Sequence, residues 1–219
     1  PAELVGEQMQ AVMEDLRPDA IKIGMTGNVE IISEIARLLH QYSPRQVVLD
    51  PVMVSTSGHN LMTDEAVEAI CTLLLPEVSL VTPNLHEAAV LLQQPIHTVD
   101  DMEYAAHLVY EKYHCACLVK GGHLTGNEMC DVLYDGHELH LFGARRIHSG
   151  NLHGTGCTLS SAIATFLAQG FPLYEAVELA KTYITKAIEA GKDLHIGQGN
   201  GPLCHFPYLV NPVNPLTEE

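Results

Sequence analysis

The chain has 219 residues, 47% hydrophobic and 17% charged, which supplies the apolar material for one sizeable α/β core. Eleven basic residues against 27 acidic ones leave a formal charge of −16. This excludes an extended nucleic-acid surface but still allows a local phosphate site built from backbone amides and Mg²⁺. No apolar run reaches the length of a membrane span, and Pro1-Ala2-Glu3-Leu4 shows no signal-peptide pattern. The six cysteines form no CxxC pair, so they read as reduced thiols of a cytoplasmic protein.

A helix is predicted over 4–16, a strand over 20–25, a helix over 29–42 and a strand over 46–54. A helix at 63–75 precedes a short strand at 78–82. Helices at 85–93 and 99–113 follow, then a strand at 116–120, in an apolar run where Cys115 and Cys117 project to one face. Strands alternating with helices imply βαβ units and a mainly parallel sheet, and near-continuous apolar strands imply burial on both faces. After residue 123 the pattern changes. Runs 128–134 and 138–142 flank Asp135-Gly136-His137, a hairpin signal that gives the sheet an antiparallel edge. Helices at 155–169 and 173–190 close the pattern, the second ended by Gly191. The tail at 202–219 is too proline-rich for regular structure and is expected to drape over the surface. No repeat or linker interrupts the chain, so residues 1–219 read as a single domain.

The richest stretch is Ser149-Gly150-Asn151-Leu152-His153-Gly154-Thr155-Gly156-Cys157-Thr158, which opens a helix with small residues. The free N–H groups of such a first turn sit at the positive end of the helix dipole and bind anions, phosphate above all. A helix N-terminus also favours the thiolate, so Cys157 is a candidate base. Ligands in parallel sheets collect at the carboxyl ends of the strands. Met25, Asp50, the Val54–Gly58 segment, Asn84, Glu87 and the Lys120–His123 segment all fall there. Each has a plainer reading on its own. Asp50 before Pro51 can simply end a strand. Asn84 can be an N-cap, with Glu87 an exposed first-turn carboxylate. Lys120 and Lys181 can be solvated, Met25 and Val52 core residues, Cys157 a packed thiol, and His123 and His153 structural.

Six ordered segments resemble the ribokinase-like kinases, and within them the hydroxymethylpyrimidine/phosphomethylpyrimidine kinases of thiamine biosynthesis. They are Ile21-Lys22-Ile23-Gly24-Met25, Val48-Leu49-Asp50-Pro51-Val52-Met53-Val54, Thr82-Pro83-Asn84-Leu85-His86-Glu87-Ala88, Leu118-Val119-Lys120-Gly121-Gly122-His123, the His153–Ala162 stretch, and Gly201-Pro202-Leu203-Cys204-His205-Phe206. The resemblance implies a three-layer fold and transfer of the γ-phosphoryl group of ATP to a hydroxymethylpyrimidine, then to its monophosphate. It implies that Gly154, Thr155, Gly156 and Cys157 form the anion hole, with Cys157 where most relatives carry an aspartate base. Asn84 and Glu87 then organise Mg²⁺ and nucleotide phosphates, and Asp50 adds a second carboxylate. By the same resemblance, Lys120, Gly122 and Lys181 lie at the nucleotide, Met25 and Val52 line the pyrimidine pocket, and the chain is a homodimer.

Two departures accompany the resemblance. The family's opening βαβ unit, with its Ala-Gly-Ser-Asp-type segment, is not found, so the fold is expected to be N-terminally incomplete. Thr56 stands where the loop after Met53 usually holds a lysine, so that lysine's lid contact to ATP is expected to be missing. The alternatives are a pyridoxal kinase of the same fold and a non-catalytic pyrimidine-binding relative. Cys157 favours the pyrimidine enzyme over the first, since true pyridoxal kinases usually carry aspartate there. The retained phosphate apparatus argues against the second.

Overall fold

Successive residues of a strand face opposite ways, so a sheet made of continuous apolar runs needs cover on both sides. The computed structural model describes residues 1–53, 61–122 and 128–207. Among these residues the sheet has six strands in sequential order: β1 (Ile21–Ile23), β2 (Val47–Leu49), β3 (Leu80–Val81), β4 (Ala116–Val119), β5 (Glu128–Tyr134) and β6 (Leu139–Arg145). The first four run parallel, with Ile21 beside Val47, Val48 beside Leu80 and Val81 beside Cys117. β5 and β6 pair antiparallel and form the expected edge. At the hairpin tip, the Asp135 carboxylate accepts the N–H groups of His137 and Glu138, both at 2.8 Å.

The helices are α1 (Ala2–Asp15), α2 (Val29–Tyr42), α3 (Asp64–Ala69), α4 (Leu85–Leu92), α5 (Val99–Tyr113), α6 (Thr155–Ala168) and α7 (Leu173–Gly191). Val47, Leu49, Val81, Cys117, Val119 and Val132 turn to one face and pack under α2 to α5. Val48, Leu80, Ala116, Leu118 and Leu133 turn to the other and pack under α6 and α7. The result is the three-layer arrangement expected. Each buried Leu or Val stabilises it by about 1.5–3 kcal/mol. Helix starts follow their caps: Asn28 accepts Ile31 N–H at 2.9 Å, and Thr98 and Asp101 form a capping box.

Four local features differ from the sequence pattern. The run predicted as one helix over 63–75 changes pitch, from α3 to a π-helical turn at Ile70–Leu74 and a 3₁₀ turn at Leu75–Glu77. Pro76 has no N–H to give to the carbonyl four residues back, and its ring crowds that carbonyl. Strand β2 stops at Leu49, before the Asp50-Pro51 step, for the same lack of a donor at Pro51. Gly191 lies inside α7 rather than beyond its end. A Cβ there would stand 2.8 Å from the backbone N of Cys204, so it is a glycine for close approach. The tail accordingly does not start on the surface. Leu203 and Cys204 are buried, and Cys204 N–H donates to Ala187 O at 3.1 Å.

Candidate active site

The carboxyl ends of β2, β3 and β4 meet the first turn of α6. Asp50 continues the ladder past β2, its N–H on Ile23 O at 2.9 Å, and is only 2% exposed. Its Oδ1 accepts from Lys120 Nζ at 2.8 Å. Thr82 and Ser160, both fully buried, donate to the same carboxylate at 3.4 Å each. Lys120 follows β4, and its N–H reaches Pro83 O at 2.8 Å. Asn84 and Lys120 are thereby held side by side as a parallel bridge.

Above this ion pair stands an open helix end. Gly154 caps α6 with φ +85°, a left-handed conformation that a side chain would strain, and no side chain caps the helix. Thr155 N–H and Oγ1 are both turned back onto Leu152 O, and regular bonding resumes with Thr158 N–H on Gly154 O. Between them the amides of Gly156 and Cys157 have no acceptor among the described residues. A Cβ on Gly156 would lie 3.3 Å from Lys120 Nζ and 3.6 Å from Asp50 Oδ2, so the ammonium sits against the positive end of α6. Asp50 balances the ammonium from below, and the free amides above it suit a phosphate. The approach to the turn is anchored by Asn151, whose Nδ2 donates to Gly191 O and Leu194 O, both at 2.7 Å.

The first turn of α4 carries a side-chain cap instead. Asn84 Oδ1 accepts Glu87 N–H at 2.9 Å, and Glu87 Oε2 accepts Asn84 N–H at 2.8 Å. Glu87 is no exposed first-turn carboxylate but 3% exposed. Burial raises its pKa from the usual 4.5. The Lys120 charge and the amides of Asn84 and Met53 pull it down, while the Asp50 charge pushes it up. Glu87, Asp50 and Lys120 thus form one electrostatic unit.

Lys181 is placed elsewhere. Its Nζ donates to Asp131 Oδ2 at 2.6 Å, and Asp131 Oδ1 accepts Gly121 N–H at 2.8 Å. Gly122 is exposed, its carbonyl held by Arg146 Nη1 at 3.1 Å. Met25 is 61% exposed at the rim after β1, and Val52 is half-buried, so neither is a core residue. Cys157 is exposed, whereas burial pushes the Cys115 thiol up to about 12 and Cys117 also well above its ordinary value. His153 is exposed and pairs with the tail through its N–H on Gly201 O. The 54–58 segment with Ser55 and Thr56, and His123, lie outside the described residues.

Asp131, Asn151, Thr82 and Ser160 escape a reading of the sequence. A signal existed for Lys181 and Asp131: the lysine interrupts the Val177, Ile184, Ile188 stripe of α7, and the aspartate interrupts an apolar strand. Opposite charges at two core-facing positions point to a buried pair. A cavity of about 570 Å³ begins at Gly154 and Cys157 and runs along the outward face of α6 past Phe166, Tyr183 and His205. None of Asp50, Glu87 and Lys120 lines it. Among the described residues no helix is long and apolar enough to cross a membrane.

The chain resembles known proteins over nearly its whole length. A hydroxymethylpyrimidine/phosphomethylpyrimidine kinase of Rhizobium meliloti is 49% identical over 94% of this chain and 77% of that one. The crystal structure of a phosphomethylpyrimidine kinase from Clostridium difficile, 39% identical, matches with a TM-score of 0.77 over 86% of this chain and 77% of that one. A pyridoxal kinase from Staphylococcus aureus in complex with ADP, 31% identical, matches with a TM-score of 0.86 over 95% and 75%. The family described as phosphomethylpyrimidine kinase matches residues 1–204, and the chain, with its ribokinase-like fold, belongs to that family.

Proposed function

We propose that the chain transfers the γ-phosphoryl group of ATP to the hydroxymethyl oxygen of 4-amino-5-hydroxymethyl-2-methylpyrimidine, and then a second phosphoryl group to the monophosphate. The observation that carries this is the pair of free amides at Gly156 and Cys157 standing over the Lys120 ammonium. Phosphoryl transfer asks a protein mainly for positioning and charge stabilisation, and this corner supplies both.

The hydroxymethyl oxygen attacks the γ-phosphorus, the bond to the β,γ-bridging oxygen breaks, and ADP leaves. Cys157 Sγ takes the hydroxyl proton in the first transfer. The second needs no base, because the attacking phosphate oxygen is already anionic. The free amides of Gly156 and Cys157 and the Lys120 ammonium hold the equatorial oxygens as charge redistributes, Thr155 N–H being taken by Leu152 O. Lys120 and Gly122 bind the nucleotide. Met25 and Val52, at the ends of β1 and β2, contact the pyrimidine.

Mg²⁺ fits this donor set. It is usually held by one or two carboxylates together with waters and phosphates, and Asp50 and Glu87 flank Lys120 with lone pairs to spare. Among the described residues no cluster of three or more acidic, His or Cys side chains forms a dedicated cage. When bound, the ion would offset charge on the phosphate oxygens. Asn84 acts by holding Glu87 in place.

The second reading, a pyridoxal kinase, is favoured by the higher TM-score of the Staphylococcus aureus enzyme. A coupled assay of ADP release separates the two. Faster turnover with the hydroxymethylpyrimidine is expected; a preference for pyridoxal would overturn the substrate assignment.

A further inference from the structure

Helix α7 is fixed by the core, with Ala176, Val177, Ala180, Ile184, Ala187 and Ile188 buried along it. Like any helix it ends in carbonyls that have no partner inside the helix. Cys204 N–H meets Ala187 O and Leu194 N–H meets Gly191 O, both at 3.1 Å. The remaining donor comes from a distant loop. Asn151 Nδ2 gives its two protons to Gly191 O and Leu194 O at 2.7 Å each. Asn151 is 8% exposed and stands three residues ahead of the Gly154 cap of α6. Its own N–H rests on Ser149 Oγ at 2.9 Å, and a Cβ on Gly201 would collide with its Oδ1, so the tail passes directly against it. Two residues further on, His153 N–H donates to Gly201 O at 3.2 Å. Leu152 is therefore held from both sides. Leu152 O is the acceptor that draws back Thr155 N–H and Oγ1, so that the free amides begin at Gly156.

We propose that Asn151 is a positioning residue for phosphoryl transfer. It takes the end of α7 as a fixed reference and sets the Leu152 peptide, and through it the amides of Gly156 and Cys157, over Lys120. It touches neither substrate. Amides stabilise a transferring group only when they are aimed beforehand, and a misplacement of about 1 Å can cost about 10²-fold in rate. The side-chain amide suits this task because one nitrogen serves two carbonyls; a carboxylate of the same shape has no proton to give when ionised. This inference rests on the reading of the first turn of α6 as the phosphoryl site.

The test compares Asn151→Ala, Ser149→Ala and, as a control on the far side of the sheet, Thr98→Ala, which removes the cap of α5. Each whole chain is assayed below its melting temperature by steady-state kinetics and by calorimetric titration with ADP. Asn151→Ala is expected to lower kcat for both transfers by about 10- to 100-fold. Its affinity for ADP, which lacks the transferring group, should stay within about twofold, because the Lys120–Gly122 rim is untouched. Ser149→Ala, the milder change, should show the same pattern at about threefold. Thr98→Ala should lower the melting temperature and leave kcat alone. A normal kcat in Asn151→Ala would overturn the proposal, and so would a fall in ADP affinity that matches the fall in kcat. It would equally be overturned if Thr98→Ala lost kcat in the same proportion to its melting temperature, since the effect would then be one of stability. Should Asn151→Ala not fold, Ser149→Ala decides by itself, and an unchanged kcat there sinks the idea. Failure of the underlying kinase reading shows separately: the unsubstituted chain would neither bind ADP nor release it from ATP, and the inference would fall with it.

Discussion

Helices α4 and α6 both begin at the same rim of the sheet, and their first turns are built in opposite ways. In α4 side chains meet two of the amides, Asn84 and Glu87 each accepting the other's backbone N–H, which leaves those of Leu85 and His86 without an acceptor among the described residues. In α6 the cap is a glycine with φ +85°, and the amides of Gly156 and Cys157 are left without a side-chain partner. A capping box contributes to stability and sets a carboxylate at the helix end, where it opposes a second anion. An uncapped turn forgoes that contribution and keeps its donors for an anion. On the proposed function the two helices have complementary tasks: α4 holds a carboxylate still, and α6 receives the phosphoryl group.

The largest effect should come from the open end. Cys157→Ala is expected to lower the first phosphoryl transfer by about 10²–10⁴-fold, the usual range for a lost general base. ATP affinity should change little, since the amides remain. Near-normal turnover would make the sulfur a spectator.

Next comes the carboxylate of the capped end. Glu87→Gln can still accept Asn84 N–H, so the cap survives, but turnover should fall by at least about tenfold if the charge organises the phosphates. The same variant tests the pH dependence. The folded pKa of Glu87 lies above the ordinary 4.5, so the folded state holds the proton more tightly than the unfolded one. Its penalty is absent below 4.5 and grows as pH rises through the interval between the two values. Glu87→Gln should remove that component, giving a flatter melting-temperature profile above pH 4.5, and an unchanged profile would contradict the assignment.

The smallest effect belongs to Asn84→Ala, which opens the α4 cap. A loss of about 1 kcal/mol is expected. In a chain of this size that corresponds to a melting temperature lower by about 2–4 °C, read by calorimetry.

Features with a local cause were legible in the sequence. The bounds of α2 and α5 were read as they stand in the structure, because Asn28 and Thr98 are caps whose partners lie within a turn. The parallel sheet and its antiparallel edge followed from apolar periodicity and from Asp135-Gly136. Features that depend on distant partners were not legible. Gly191 looked like a helix terminator, and only the folded chain brings Cys204 against it. The 63–75 run read as one helix, and its apolar spacing gave no sign of the π-helical turn within it. At the candidate site, the glycine-rich turn was visible because its chemistry lies in consecutive residues. The bonds of Asp50 to Lys120 and of Asp131 to Lys181 span 70 and 50 residues, and nothing in spacing alone matches those partners.

Helix α7 carries a consequence for how this corner can vary. Lys181, near its middle, steadies the turn after β4, and Gly191, at its end, offers the carbonyl that Asn151 grips ahead of α6. The two attachment points are about 15 Å apart at a rise of 1.5 Å per residue. One rigid beam therefore gauges the gap between the loop after β4 and the loop before α6. Sliding it by a single residue would shift both mountings at once, so neither loop can be retuned alone.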